Sequence, residues 1–134
     1  MSPRTIFLSK LIGLYSIVVG LAMVAHKQAT LRMVGALLQY APLLYLVGVI
    51  ALGIGLAMVL GHNVWKGGAL PVVVTLIGWL SLLKGLHFLF LPSAVAVRLF
   101  LGVLHYCQLF YLYVAIDLII GVYLTYAGFR AKAS

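Results

Sequence analysis

Four long, nearly charge-free apolar stretches decide what this chain can fold into: Ile6–Ala25, Leu43–Gly61, Leu70–Leu91 and Leu109–Phe129. A hydrocarbon core of about 30 Å is crossed by roughly 20 residues of helix. Inside lipid every backbone N–H and C=O must be paired within the structure, which leaves helices and closed barrels. The run of alternating segments of about ten residues that marks a barrel is missing. The stretches therefore predict an all-α integral membrane fold, a four-transmembrane-helix bundle spanning residues 1–134 as a single domain.

Composition narrows the function classes. The chain is 66% hydrophobic and 7% charged, against about 25% charged residues in soluble domains. That excludes an ordinary soluble fold, a disordered chain and a coiled coil. Nine Lys and Arg against one acidic residue, Asp117, give a net charge of +8. The cations are spread among the non-apolar segments, so they read as membrane anchors and orientation signals rather than a nucleic-acid patch. The single Cys107 excludes an intramolecular disulfide and a cysteine zinc site. His26, His62 and His105 sit near span ends with no His-x-x-x-His or carboxylate cluster, so neither a metal nor a cofactor is expected. One carboxylate leaves little general acid–base machinery, and the expectation is a protein that is not an enzyme.

Arg4 and Lys10 ahead of the first apolar run imitate a signal peptide. The run is long, however, and Ala22-Met-Val-Ala25 is a poor cleavage site, so this span is expected to stay as a helix. Four spans put both termini on one side with Arg4, Lys10, Lys66, Arg130 and Lys132. Lys27, Arg32 and Arg98 fall on the other side, and five against three favours cytoplasmic termini. Tyr40, Trp65, Tyr106, Tyr126 and Phe129 lie near span ends, where an interfacial aromatic belt belongs.

The two halves repeat. Leu11-Ile-Gly-Leu-Tyr-Ser-Ile-Val-Val-Gly-Leu21 matches Leu76-Ile-Gly-Trp-Leu-Ser-Leu-Leu-Lys-Gly-Leu86 at an offset of 65. Leu37-Leu-Gln-Tyr-Ala-Pro-Leu-Leu-Tyr-Leu46 matches Val103-Leu-His-Tyr-Cys-Gln-Leu-Phe-Tyr-Leu112 at 66, and Gly55 then falls on Gly121. We expect two parallel helical-hairpin repeats, about residues 6–65 and 70–129, related by an axis along the membrane normal. The connecting segments His26–Pro42 and Pro92–Gln108 correspond as well. Each is half apolar, with Arg32 and Gln39 matching Arg98 and His105, and reads as a short interfacial amphipathic helix.

Small residues recur three and four apart: Gly13, Ser16 and Gly20; Gly48, Ala51 and Gly55; Gly78, Ser81 and Gly85; and in the last span Gly121, with Val114, Asp117 and Gly128. Lipid tails are as apolar as leucine, so close backbone approach over small residues has to hold the helices together. The alternation predicts a left-handed seam crossing near +20°. Lys84 and Asp117 lie within spans, where each costs about 2.5–3.5 kcal/mol at a helix centre. Their depths agree within the reach of a lysine. They are expected to form a buried pair between the third and fourth spans, or a proton or ion relay with His87 one turn beyond Lys84, or else to stand apart, with Lys84 snorkelling to the interface and Asp117 paired elsewhere or protonated.

His62-Asn-Val-Trp65, Thr75-Leu-Ile-Gly-Trp79 and Leu82-Leu-Lys-Gly85 together resemble a motif of small, functionally uncharacterised four-helix integral membrane proteins of bacteria. The resemblance covers residues 43–92, implies a bacterial inner membrane and implies no activity. The functional expectation is a structural or accessory protein in contact with the lipid bilayer and with other membrane subunits or copies of itself. The competing expectation is an oligomeric small-ion channel or proton-coupled transporter using Lys84 and Asp117.

Overall fold

The protein is described by a computed structural model for residues 2–92, 94, 95, 97–99 and 109–132. Among the described residues, the helices with both ends described are, in order, α1 Pro3–Ala25, α2 Lys27–Gln39, α3 Ala41–Gly61, α4 Ala69–Phe90 and α5 Phe110–Arg130. All regular structure among the described residues is helical. The four long helices hold 21 to 23 residues each and are apolar enough to cross a membrane. At about 1.5 Å per residue they run roughly 32–35 Å.

Local chemistry sets the ends. Ser2 caps α1 by accepting the Thr5 N–H at 3.2 Å, and Pro3 occupies the first turn, where its missing N–H costs nothing. Tyr40 breaks the chain between α2 and α3 with extended backbone (φ −115°), and Pro42 opens the next helix. Gly67 and Gly68 turn the chain into α4 at φ of +93° and +113°, a region that strains any side chain.

The long helices form two antiparallel pairs, α1 with α5 and α3 with α4. In both, backbone presses on backbone. A Cβ on Gly85 would sit 2.5 Å from the Leu52 nitrogen, and one on Gly55 the same distance from the Leu82 Cα. In the other pair a Cβ on Gly13 would lie 2.6 Å from the Thr125 nitrogen, and one on Gly20 would lie 2.7 Å from Leu118 Cδ2. Gly48 meets Phe88, Gly78 meets Met58, Gly121 meets Ser16, and Gly128 meets Ser9 and Lys10. Lysines close the α1–α5 pair at both ends: Lys10 Nζ stands 4.6 Å over the Phe129 ring and Lys27 Nζ stands 4.3 Å over Tyr111.

The two pairs meet at the end that carries the termini. There Met58, Leu70, Val74 and Leu124 form one buried cluster with Leu8, Ile12, Ile77 and Ile120, drawing on all four long helices. α4 and α5 make little direct contact with each other. The other end holds a separate cluster of Leu38, Leu44 and Phe88, in which α2 lays Val34, Leu37 and Leu38 against α3 and α4. Arg32 and Gln39 stay exposed, so α2 is amphipathic as its sequence requires. Of the second connecting segment, residues 94, 95 and 97–99 are helical; His105, Tyr106 and Cys107 lie outside the described residues.

Gly85→Ala should lower stability by about 1–3 kcal/mol, because the methyl meets backbone that cannot yield. Gly53→Ala, with nothing within 4 Å of its Cβ position, should not. Thermal unfolding of both variants in mild detergent checks this, and equal midpoints would mean that the α3–α4 backbones are not in contact.

Candidate functional site

Polar side chains from three helices converge at the joined end. Thr5 belongs to the first turn of α1, His62 ends α3, and Thr75 lies in the second turn of α4. They are 1%, 3% and 2% exposed, so water cannot satisfy them. His62 Nε2 lies 2.8 Å from Thr5 Oγ1, and Nδ1 lies 3.2 Å from Thr75 Oγ1. Thr5 Oγ1 also meets Ser2 Oγ at 2.9 Å. The Val64 N–H donates to Thr75 Oγ1 at 3.0 Å, and the Thr75 hydroxyl reaches the Val64 and Pro71 carbonyls at 2.9 Å each.

Proton accounting assigns the tautomer. Thr75 has one proton and two lone pairs. If His62 carries its proton on Nδ1, Thr75 accepts from His62 and Val64 and donates to a carbonyl. Thr5 then donates to Nε2 and accepts from Ser2, while Ser2 accepts the Thr5 N–H. Every group is matched. The other tautomer uses the Thr75 proton on His62 and leaves the Val64 carbonyl without this donor.

The surroundings extend the network. Ser9, fully buried, donates back to the Thr5 carbonyl at 2.7 Å and packs beneath Gly128 of α5. Asn63 Oδ1 accepts from Trp65 Nε1 at 2.8 Å and from Trp79 Nε1 at 3.4 Å, which pins the loop after α3 to the α4 surface. The motif residues His62, Asn63, Trp65, Thr75 and Trp79 thus fall in one place. Thr5 and Ser9 carry no signal in the sequence and Thr75 enters there only within the motif, because a lone hydroxyl shows no partner until the helices are paired.

Deeper in the spans, the Asp117 carboxyl is half-buried in the α1–α5 seam and takes Ser16 as hydrogen-bond partner, with Gly20 alongside. Lys84 is exposed on α4. Lys84 and Asp117 belong to different helix pairs, and α4 and α5 make little contact with each other. Lys84 shares the face of α4 used by Ile77, seven residues earlier, and Asp117 shares the face of α5 used by Leu124. His87 is half-buried and meets Phe88 edge-on at 5.3 Å. Ser81 donates to the Ala51 carbonyl at 2.9 Å across the α3–α4 seam. Thr125 Oγ1, against Gly13, is a buried hydroxyl without a hydrogen-bond partner. No group of His, Cys, Asp and Glu that could hold a metal occurs among the described residues.

No family model, curated protein or solved structure matches this chain.

Thr75→Val keeps the shape and removes the partner of the Val64 N–H and of the buried His62 ring. A loss of about 1–3 kcal/mol is expected, with Thr75→Ser near wild type. Detergent unfolding that shows Thr75→Val as stable as wild type would remove the network from the account of stability.

Burial holds the His62 imidazole below its ordinary value of 6.5, opposed by a hydrogen bond to its own backbone. The unfolded chain takes up the proton first as pH falls. The stability contribution of His62 is therefore complete above 6.5 and is lost as pH drops from there through the depressed folded value. Unfolding midpoints across that range should fall for wild type and fall less steeply for His62→Gln.

Proposed function

We propose that this is a non-enzymatic, multi-pass membrane protein that serves as a structural or accessory component of a homo-oligomeric or larger membrane assembly. The observation that carries the reading is where the polar groups go. Ser16 meets Asp117, Ser81 meets the Ala51 carbonyl, and Thr5, His62 and Thr75 meet each other, so these groups tie helix to helix. The rest of each span is apolar surface, with only 17% to 39% of its window buried within the chain. That leaves broad faces for lipid and for other subunits.

The architecture is read as two parallel repeats, and the packing supports this. Gly20 against Leu118 corresponds to Gly85 against Leu52, and Ser16 reaching Asp117 corresponds to Ser81 reaching Ala51. Gly121 against Ile17 corresponds to Gly55 against Leu82. In each case the partners differ by 65 or 66 residues, and α1–α5 exchanges with α4–α3. The charge distribution supports cytoplasmic termini, and the motif resemblance supports a bacterial inner membrane.

A second reading, an ion channel or proton-coupled transporter, is favoured by one observation. Lys84 and Asp117 share helix faces with Ile77 and Leu124, residues of the cluster where the two pairs meet.

Mass measurement in mild detergent should give a multiple of 14.5 kDa or a stoichiometric second protein; a stable monomer alone would overturn the assembly. Vesicles carrying the protein should show no proton or ion flux beyond lipid alone. Flux that Asp117→Asn abolishes without loss of stability would establish the second reading instead.

A further inference from the structure

α1 packs on α5 and α3 packs on α4, so α1 and α3 share no tight seam of their own. Between them, at the end of the termini, lies an open apolar groove of about 220 Å³ lined by Phe7 and Leu8 of α1 and Ala57, Met58 and Gly61 of α3. Arg4 stands at its mouth. One guanidinium N–H donates to the Gly61 carbonyl at 3.3 Å. This seats the cation at the C-terminus of α3, where the helix dipole favours positive charge. Arg4 is exposed, and its fork has five N–H donors, so donors remain for an outside acceptor. Among the described residues no acidic side chain stands beside it: Asp117, the single Asp or Glu of the sequence, lies deep in α5. Phe7, Leu8, Ala57 and Met58 lie one turn further along the spans than Arg4 and Gly61, so an apolar trough descends from a cation placed at the helix ends.

We propose that this groove is a binding site for an anionic phospholipid. The phosphate pairs with the Arg4 fork, a geometry guanidinium matches well, and an acyl chain lies along Phe7, Leu8, Ala57 and Met58. Charge complementarity selects the occupant: a phosphatidylcholine headgroup brings its own cation beside the phosphate, whereas phosphatidylglycerol leaves the negative charge for Arg4. The site rests on the membrane reading above and is independent of the assembly.

The test is native mass spectrometry of the full-length protein from mild detergent, with phosphatidylglycerol and phosphatidylcholine of matched acyl chains. Wild type should retain one phosphatidylglycerol per chain with about fivefold preference, the effect of one interfacial cation. Arg4→Gln should bring the two lipids to parity. Ala57→Trp, which fills the trough, should weaken retention of both. Arg130→Gln removes a cation from the same end, outside the groove, and should change nothing. No preference in wild type, preference that survives Arg4→Gln, or equal loss in Arg130→Gln would overturn the site, the last by showing diffuse attraction. Should Arg4→Gln not fold, as judged by thermal unfolding without lipid, Ala57→Trp decides: unchanged retention overturns the proposal. Flotation with vesicles of either lipid keeps the two readings apart. Protein that floats with neither refutes the membrane reading, and protein that floats but shows no selective adduct refutes the site alone.

Discussion

Backbone contact between paired helices is the constraint on which this structure depends. Leucine against leucine gains little over leucine against lipid, so an apolar helix needs another reason to choose a neighbour. Glycine supplies it by removing the Cβ. Gly85 admits the Leu52 backbone and Gly55 admits that of Leu82, while Gly13 and Gly121 do the same between α1 and α5. Dispersion over so close an interface is collectively large, and it depends steeply on distance. Two pairs defined in this way leave open how they are joined to each other.

That second question is answered by hydrogen bonds. His62 has two ring nitrogens on opposite edges, and each finds a threonine on a different helix. One side chain at the end of α3 therefore fixes the N-terminal turns of α1 and α4 together, above the cluster of Met58, Leu70, Val74 and Leu124. Between side chains this deeply buried, these bonds are costly to leave unmade, which gives the joint its specificity. The opposite ends of the pairs have no comparable link among the described residues. Asp117 lies in the seam of its own pair beside Ser16 and Gly20, and Lys84 stays on the surface.

The helices are joined at one end and broadly apolar around their circumference, the two features on which the proposed packing role rests. The same geometry leaves a trough between α1 and α3 with a cation at its lip, because those two helices are neighbours without being partners. The packing and the proposed lipid site thus have one origin.

The sequence by itself determined the helices. Apolar length alone placed the four long helices within a few residues of where they lie, because helix formation in an apolar run is a local property of backbone and solvent. The amphipathic α2 was legible for the same reason. Which helices become neighbours was not. Depth along a span can be counted from sequence, and on that count Lys84 and Asp117 looked like partners; azimuth and pairing come only from packing, which put them in different pairs. The hydrogen-bonded centre was hidden likewise. His62 and Thr75 stood in a recognisable motif, but Thr5 lies 57 residues from His62. Only the tertiary structure, by pressing α1 against α4 at one end, turned three ordinary helix-end residues into a single buried network.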